Sequence, residues 1–218
     1  QFESRTGHRI LERYGMTETN MNTSNPYEGE RRAGTVGMAL PGVDMKITNP
    51  NNGETLAEGD IGQIEVRGPN VFVGYWNMPE KTREELREDG FFITGDLGRI
   101  DEHGYLQIVG RNKDLIISGG YNIYPKEIEL VLDEQPGVLE SAVIGAPHPD
   151  FGESVIGILV ADGSKPVDLD AIEADLGKTL ARFKQPRQLI LVEALPRNTM
   201  GKVQKNILRG KFGSTFQG

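Results

Sequence analysis

Apolar and polar positions alternate in short runs through the first half of the chain. Asp44-Met-Lys-Ile47 and Ile61-Gly-Gln-Ile-Glu-Val66 carry the period of two that turns one face of a strand inward. The first run is closed by Asn49-Pro-Asn-Asn-Gly53 and the second by Gly68-Pro69, both strong turn signals. Phe91-Phe-Ile93 and Tyr105-Leu-Gln-Ile-Val109 predict two more strands, separated by the turn Asp101-Glu-His-Gly104. Glu80 to Glu88 predicts a short, charged surface helix, and Gln1 to Tyr14 reads as a helix with Ile10 and Leu11 apolar among charges. Strands at this spacing predict a small, distorted antiparallel barrel or sheet.

The period changes after Gly110. Pro125 suits the first turn of a helix, whose inner face carries Ile128, Val131 and Leu132 and which ends near Pro136-Gly137. Leu139 to Ile144 and Val155 to Val160 are apolar strands. From Asp168 to Phe183, Leu169, Ile172, Leu176, Leu180 and Phe183 recur at helical spacing. Leu189-Ile-Leu-Val192 predicts a buried strand and Lys205 to Phe212 a final helix. The fold class is therefore α+β: a small β-barrel or sheet subdomain over residues 1–110, a hinge at 111–113, and a compact α+β domain over 114–218.

Composition narrows the function. The 218 residues contain no cysteine, which excludes disulfide scaffolds, thiol nucleophiles and thiolate metal sites. His8, His103 and His148 are too scattered to suggest a zinc site. No apolar run approaches the length of a membrane span, and no basic region followed by an apolar one suggests secretion, so a cytoplasmic protein without a membrane partner is expected. The formal net charge of −8 disfavours nucleic acid. Yet Lys178 to Lys211 holds nine basic residues and one acid, Glu193. Such a segment suits a small anionic ligand, or is simply a solvated face.

Four segments hold groups able to do chemistry. In Tyr14-Gly-Met-Thr-Glu-Thr19, Thr17 can donate to a phosphate oxygen and Glu18 can hold Mg²⁺, although a polar loop carries the same residue types. In Thr94-Gly-Asp96, a carboxylate at the end of a strand is placed to accept ribose hydroxyls, or to cap a turn. Gly110 to Glu129 combines Arg111 and Lys113 at the junction with the pair Gly119-Gly120, which permits close backbone approach to a ligand or a positive φ. Pro196 to Lys205 is a proline-opened loop presenting Lys202, a point charge suited to developing negative charge on phosphate and equally at home in solvent.

The order of these motifs resembles that of the adenylate-forming superfamily. The residues that carry the resemblance are Tyr14-Gly-Met-Thr-Glu-Thr19, Gly62-Gln-Ile-Glu-Val-Arg-Gly68, Gly74-Tyr-Trp76, Gly90-Phe-Phe-Ile-Thr-Gly-Asp96, Gly110-Arg-Asn-Lys-Asp114, Gly119 to Glu129 and Pro196-Arg-Asn-Thr-Met-Gly-Lys202. That superfamily includes acyl- and aryl-CoA synthetases, peptide-synthetase adenylation domains and beetle luciferases. Its members also carry an upstream Ser/Thr/Gly-rich phosphate loop ending in Lys-Gly. This sequence contains none, so it is similar to the C-terminal part of such an enzyme and is expected to be inactive alone.

The resemblance implies an ATP-dependent ligase that adenylates a carboxylate and then transfers the acyl group to CoA. It implies Lys202, Thr17 and Glu18 as catalytic groups, with Glu18 on Mg²⁺. It implies Tyr14, Gly15 and Met16 around adenine and the acyl group, and Asp96 and Arg111 at the ribose. Gly119, Gly120 and Tyr121 would lie beside the pantetheine of CoA, and Lys113 would be the hinge on which the small domain turns between the half-reactions. Acylation of Lys202 by a protein lysine acyltransferase would cancel its charge. Arg13 to Pro26, Asp150-Phe-Gly-Glu153 and Pro196 to Asn206 are most similar to malonyl-CoA synthetases, which act on malonate and methylmalonate. The alternatives are a fatty- or aryl-acid CoA ligase, or a non-catalytic piece that binds nucleotide or CoA.

Overall fold

The computed structural model describes residues 2–217. Gln1, where the predicted first helix begins, and Gly218, the end of the predicted second domain, lie outside the described residues. The backbone divides into two units, residues 1–112 and 113–218. The division falls inside the 111–113 segment.

The first unit opens with a single helical turn, α1 (Phe2–Thr6), not with a helix reaching Tyr14. Gly7 takes a positive φ of 72° and ends it. The stretch to Arg13 offers only Ile10 and Leu11 as apolar residues, too few for a buried helical face. Tyr14 lies instead in strand β1 (Arg13–Met16), which pairs with β2 (Asn20–Ser24), and β2 pairs with β3 (Met38–Ala39).

A second antiparallel sheet runs in the order β4 (Asp44–Thr48), β5 (Gly62–Arg67), β6 (Phe92–Ile100), β7 (Leu106–Arg111). Both sheets are open, so the sheet half of the barrel-or-sheet expectation holds. The inward set Ile47, Ile64, Val66, Phe92 and Leu106 joins Tyr14 in one core. The charged surface helix expected over Glu80–Glu88 forms as α2 (Pro79–Glu85), which starts on a proline and stops before Leu86, short of the expected end.

Burial does not alternate along β5, where Gln63 is buried as well as the residues that flank it. Glu65 faces away from Ile64 and Val66 yet is fully buried. Arg87 clamps its carboxylate with two hydrogen bonds of 2.8 and 2.6 Å, Thr48 donates a third at 2.8 Å, and Lys46 lies at 3.4 Å. Burial alone would raise the carboxyl's pKa, but these donors and charges hold it below its ordinary value.

The second unit is a sheet covered on both faces. β10 (Val138–His148) and β11 (Gly152–Ala161) form a long antiparallel pair. The other edge of β11 takes β12 (Gln188–Val192) in parallel and, at Gly152, the small hairpin of β8 (Ile116–Ser118) and β9 (Tyr121–Ile123). Val143, Val155 and Leu159 pack under α3 (Pro125–Asp133) and α4 (Leu169–Thr179) through Ile128, Leu132, Ile172 and Leu176. Their neighbours Ala142, Ile144, Ile156 and Ile158 point the other way, toward Leu208 of α5 (Lys205–Phe212). Two buried faces explain why these strands read as continuous apolar runs.

Two expectations change here. α4 begins after Asp168, whose carboxylate accepts from the N–H of Ala171, but it ends at Thr179 and does not reach Phe183. Phe183 sits in a separate 3₁₀ turn, Arg182–Lys184. β12 is an edge strand with Leu191 about half exposed, and is not fully buried.

Candidate active site

Thr17, Glu18 and Thr19 form the turn of the β1–β2 hairpin. Gly15 lies within β1, not in the turn itself. A side chain there would put its Cβ 2.1 Å from the carbonyl oxygen of Asn20, so the close crossing of the two strands requires glycine. The turn is fixed from outside: Asn70 donates to the carbonyl of Thr19 at 2.7 Å, and the N–H of Phe72 donates to the carbonyl of Glu18 at 2.8 Å. Thr17 is exposed, and Glu18 and Met16 are half-buried.

Asp96 is not at the end of a strand but in the middle of β6. Between Ile93, opposite Glu65, and Leu97, opposite Gln63, β6 inserts Thr94-Gly95-Asp96 against the single residue Ile64. This bulge re-aims the carboxylate. Gln63 donates its side-chain amide to the Asp96 carbonyl at 3.0 Å, and the Thr94 hydroxyl accepts the Asp96 N–H at 3.1 Å. Both carboxylate oxygens are engaged. Tyr14 donates its hydroxyl to Oδ2 at 2.6 Å, and Arg111 Nε lies 3.0 Å from Oδ1. Burial, reinforced by the charge of Asp96, pushes the Tyr14 phenol well above its ordinary pKa, so it remains a donor. The hydroxyl of Tyr14 thus serves Asp96, a role beyond lining a pocket.

Tyr75 and Gln63 stand inside sequence motifs without any role of their own being legible there, and Glu85 is one of several charges on a surface helix. Tyr75 donates to Glu85 Oε2 at 2.5 Å and stands 3.2 Å from Glu18 Oε1. The other oxygen of Glu18 makes no hydrogen bond among the described residues. No cluster of three or more His, Asp or Glu side chains among the described residues could hold a metal unaided. A lone carboxylate with one free oxygen suits Mg²⁺, which keeps phosphate and water ligands.

In the second unit, Gly119 and Gly120 are the two-residue turn of the β8–β9 hairpin, with φ of 56° and 83°. Two successive positive φ values define the turn that matches strand twist, and glycine takes both without strain. Tyr121 stacks on Phe183, with ring centroids 4.5 Å apart. With Phe151, Arg182 and Arg187 they line an open cleft of 600 Å³.

Lys202 projects from a tight loop between Arg197 and Val203, which bridge each other. The Asn198 side-chain oxygen accepts the N–H groups of Met200 and Lys202 at 3.0 and 2.9 Å, and Arg197 donates to the Gly201 carbonyl at 2.6 Å and pairs with Glu140. The loop backbone is fixed while the Lys202 side chain is exposed and unpaired among the described residues. Lys113 is exposed in a 3₁₀ turn, Asn112–Asp114. Among the described residues no helix is long and apolar enough to cross a membrane.

Comparison with known proteins places these features in context. The family described as AMP-binding enzyme matches residues 1–76, and the AMP-binding enzyme C-terminal domain matches residues 127–202; together they span more than half of the chain. A malonate–CoA ligase of Arabidopsis thaliana is 48% identical over 96% of this chain and 36% of its own length. A sulfoacetate–CoA ligase of Cupriavidus necator is 39% identical over 94% of this chain and 40% of its own. The ATP-bound structure of MatB from Rhodopseudomonas palustris superposes with a TM-score of 0.94 at 60% identity, over 99% of this chain and 43% of that one. The chain therefore spans well under half the length of the relatives it matches.

Proposed function

Because the chain belongs to the AMP-binding, adenylate-forming enzyme family, we propose that the protein containing it is an AMP-forming acid–CoA ligase acting on a small dicarboxylate such as malonate. In the first half-reaction the carboxylate attacks the α-phosphorus of ATP and pyrophosphate leaves. In the second, the CoA thiol attacks the acyl carbon and AMP leaves.

The observation that carries this reading is the built carboxylate of Asp96. Its two oxygens are oriented by Tyr14 and Arg111 and retain lone pairs for the two hydroxyls of a ribose. Arg111 adds a donor at the same sugar. Tyr14, Gly15 and Met16 line the strand from which adenine and the acyl group are approached. Thr17 donates to the α-phosphate, and Glu18 holds Mg²⁺. When bound, the metal neutralises phosphate charge.

Lys202 supplies an ammonium to the attacking carboxylate and the phosphate, where two anions must meet. Its exposed, unpaired state on a rigid loop supports a group that finds its partner in the substrate. Lys113, at the division between the units, is the hinge that withdraws Lys202 before thiol attack. The Tyr121–Phe183 cleft, with Arg182 and Arg187, suits the adenine and phosphates of CoA, above the Gly119-Gly120 turn. The malonate preference rests on the Arabidopsis relative, and a second anionic group on the substrate fits the Cupriavidus relative as well. A protein lysine acyltransferase partner finds no support among the relatives.

The test is pyrophosphate exchange and thiol-dependent AMP release by the full-length enzyme with malonate, methylmalonate, sulfoacetate, fatty acids and aryl acids. Turnover confined to the doubly anionic acids supports the reading. Equal turnover of a fatty or aryl acid moves the assignment to the wider ligase class, and no exchange with any acid ends it.

A further inference from the structure

The half-buried groups around Tyr75 do more than fill space. One phenol faces two carboxylates, Glu85 at 2.5 Å and Glu18 at 3.2 Å. A phenol has a single hydrogen to donate. That hydrogen is shared between the two carboxylates in a three-centre bond, with the larger share on Glu85 and the smaller on Glu18 Oε1.

The ring is immobilised on several sides. The N–H of Tyr75 donates to the Thr82 hydroxyl at 2.9 Å, its ring meets Phe72 edge-on at 4.8 Å, and Lys81 lies 4.7 Å above it. Lys81 also reaches Glu85 at 3.9 Å, so Glu85 is held from the helix as well. Phe72, beside Tyr75 in the same loop, fixes the Glu18 backbone. The side chain and the main chain of Glu18 are therefore both set by the segment from Phe72 to Glu85.

We propose that Tyr75 and Glu85 are positioning residues for Glu18. Glu85 anchors the phenol by its short hydrogen bond, and the same hydroxyl reaches Glu18 Oε1, so that this oxygen is held and the other oxygen of Glu18 is left for a divalent cation carried by the nucleotide. Two carboxylates around one phenol also raise the negative potential at that oxygen, which favours a divalent over a monovalent cation. This inference rests on the reading of Glu18 as the Mg²⁺ ligand.

The experiment uses the full-length enzyme and Mn²⁺ as the probe. Water-proton relaxation of Mn²⁺–ATP measures its binding to the enzyme, and the Mg²⁺ concentration for half-maximal pyrophosphate exchange is measured beside it. Glu18→Gln should weaken Mn²⁺–ATP binding most. Tyr75→Phe should weaken it about tenfold, as loss of a group orienting a metal ligand does. Glu85→Gln should give a smaller loss, and the double variant should be no worse than Tyr75→Phe, because Glu85 acts through the phenol. Metal-free ATP should bind all variants equally.

If Tyr75→Phe and Glu85→Gln both bind Mn²⁺–ATP like the parent while Glu18→Gln does not, the positioning role is wrong and the metal assignment stands. If Glu18→Gln also binds like the parent, the metal assignment itself fails. Glu85→Gln keeps the side-chain shape at a partly exposed helix end, so it carries the test even if Tyr75→Phe does not fold.

Discussion

The carboxylate of Asp96 and the ammonium of Lys202 are held in opposite ways. Asp96 is 6% exposed, sits in a bulge of a central strand, and has both oxygens engaged by Tyr14 and Arg111. Lys202 is exposed and unpaired among the described residues, and order in its loop comes from the backbone through Asn198. In the proposed function Asp96 only binds a sugar, and such a group is best fixed in advance, because preorganisation removes the cost of orienting it at each encounter. In the same proposal Lys202 serves one half-reaction and leaves for the next, and gains from having no partner to abandon.

That contrast can be broken most directly at Lys202. In the full-length enzyme, Lys202→Ala should slow pyrophosphate exchange by about a hundredfold or more, the scale for loss of a preorganised charge at a transition state. Thioester formation from supplied acyl-adenylate should survive. Equal loss of both steps would remove Lys202 from adenylation. Asp96→Asn should raise the KM for ATP by about tenfold or more, since it replaces one acceptor oxygen by a donor and weakens the pair with Arg111. A loss confined to kcat would place Asp96 elsewhere in the reaction.

Tyr14→Phe sharpens the comparison at smaller scale. It removes one hydrogen bond to the carboxylate, about 1–2 kcal/mol, and should raise the KM for ATP several-fold with little change in kcat. Lys113→Pro should leave exchange largely intact and slow CoA-dependent AMP release; an unchanged overall rate would argue against the hinge. The last prediction concerns Glu65 and touches stability, with the smallest effect on catalysis. Its folded pKa is depressed, so its stabilisation is complete above the unfolded value and is lost as pH falls through the folded one. Glu65→Gln should therefore flatten the acid limb of the stability curve in urea unfolding at successive pH values. A parallel curve would show that Glu65 does not govern that limb.

The amphipathic and capping signals worked where a segment's environment is local. Pro125, Asp168 and the 3.6-residue spacing of Ile172 and Leu176 determined two helices, and Gly119-Gly120 determined a tight turn. The ordered motifs brought Tyr14, Asp96 and Arg111 forward, and the structure joins those three side chains across β1, β6 and β7. Other outcomes depended on partners distant in sequence. The stretch from Gly7 to Arg13 has charges and only two apolar residues, Ile10 and Leu11, so the helix predicted to run to Tyr14 stops at Thr6. Phe183 fits the period of α4 yet leaves it to stack on Tyr121, about sixty positions away.

Residue order by itself singled out the candidate groups, because motif spacing is written along one dimension. Tertiary structure decided what those groups do to each other. Glu65 looked like a solvent-facing position until Arg87 covered it, and Glu85 looked like one charge among several on a surface helix. The bulge that turns Asp96 toward Tyr14 exists only where β6 meets β5. Hydrogen bonds and burial act over a few ångströms in space, and sequence separation gives no measure of that distance until the strands have paired.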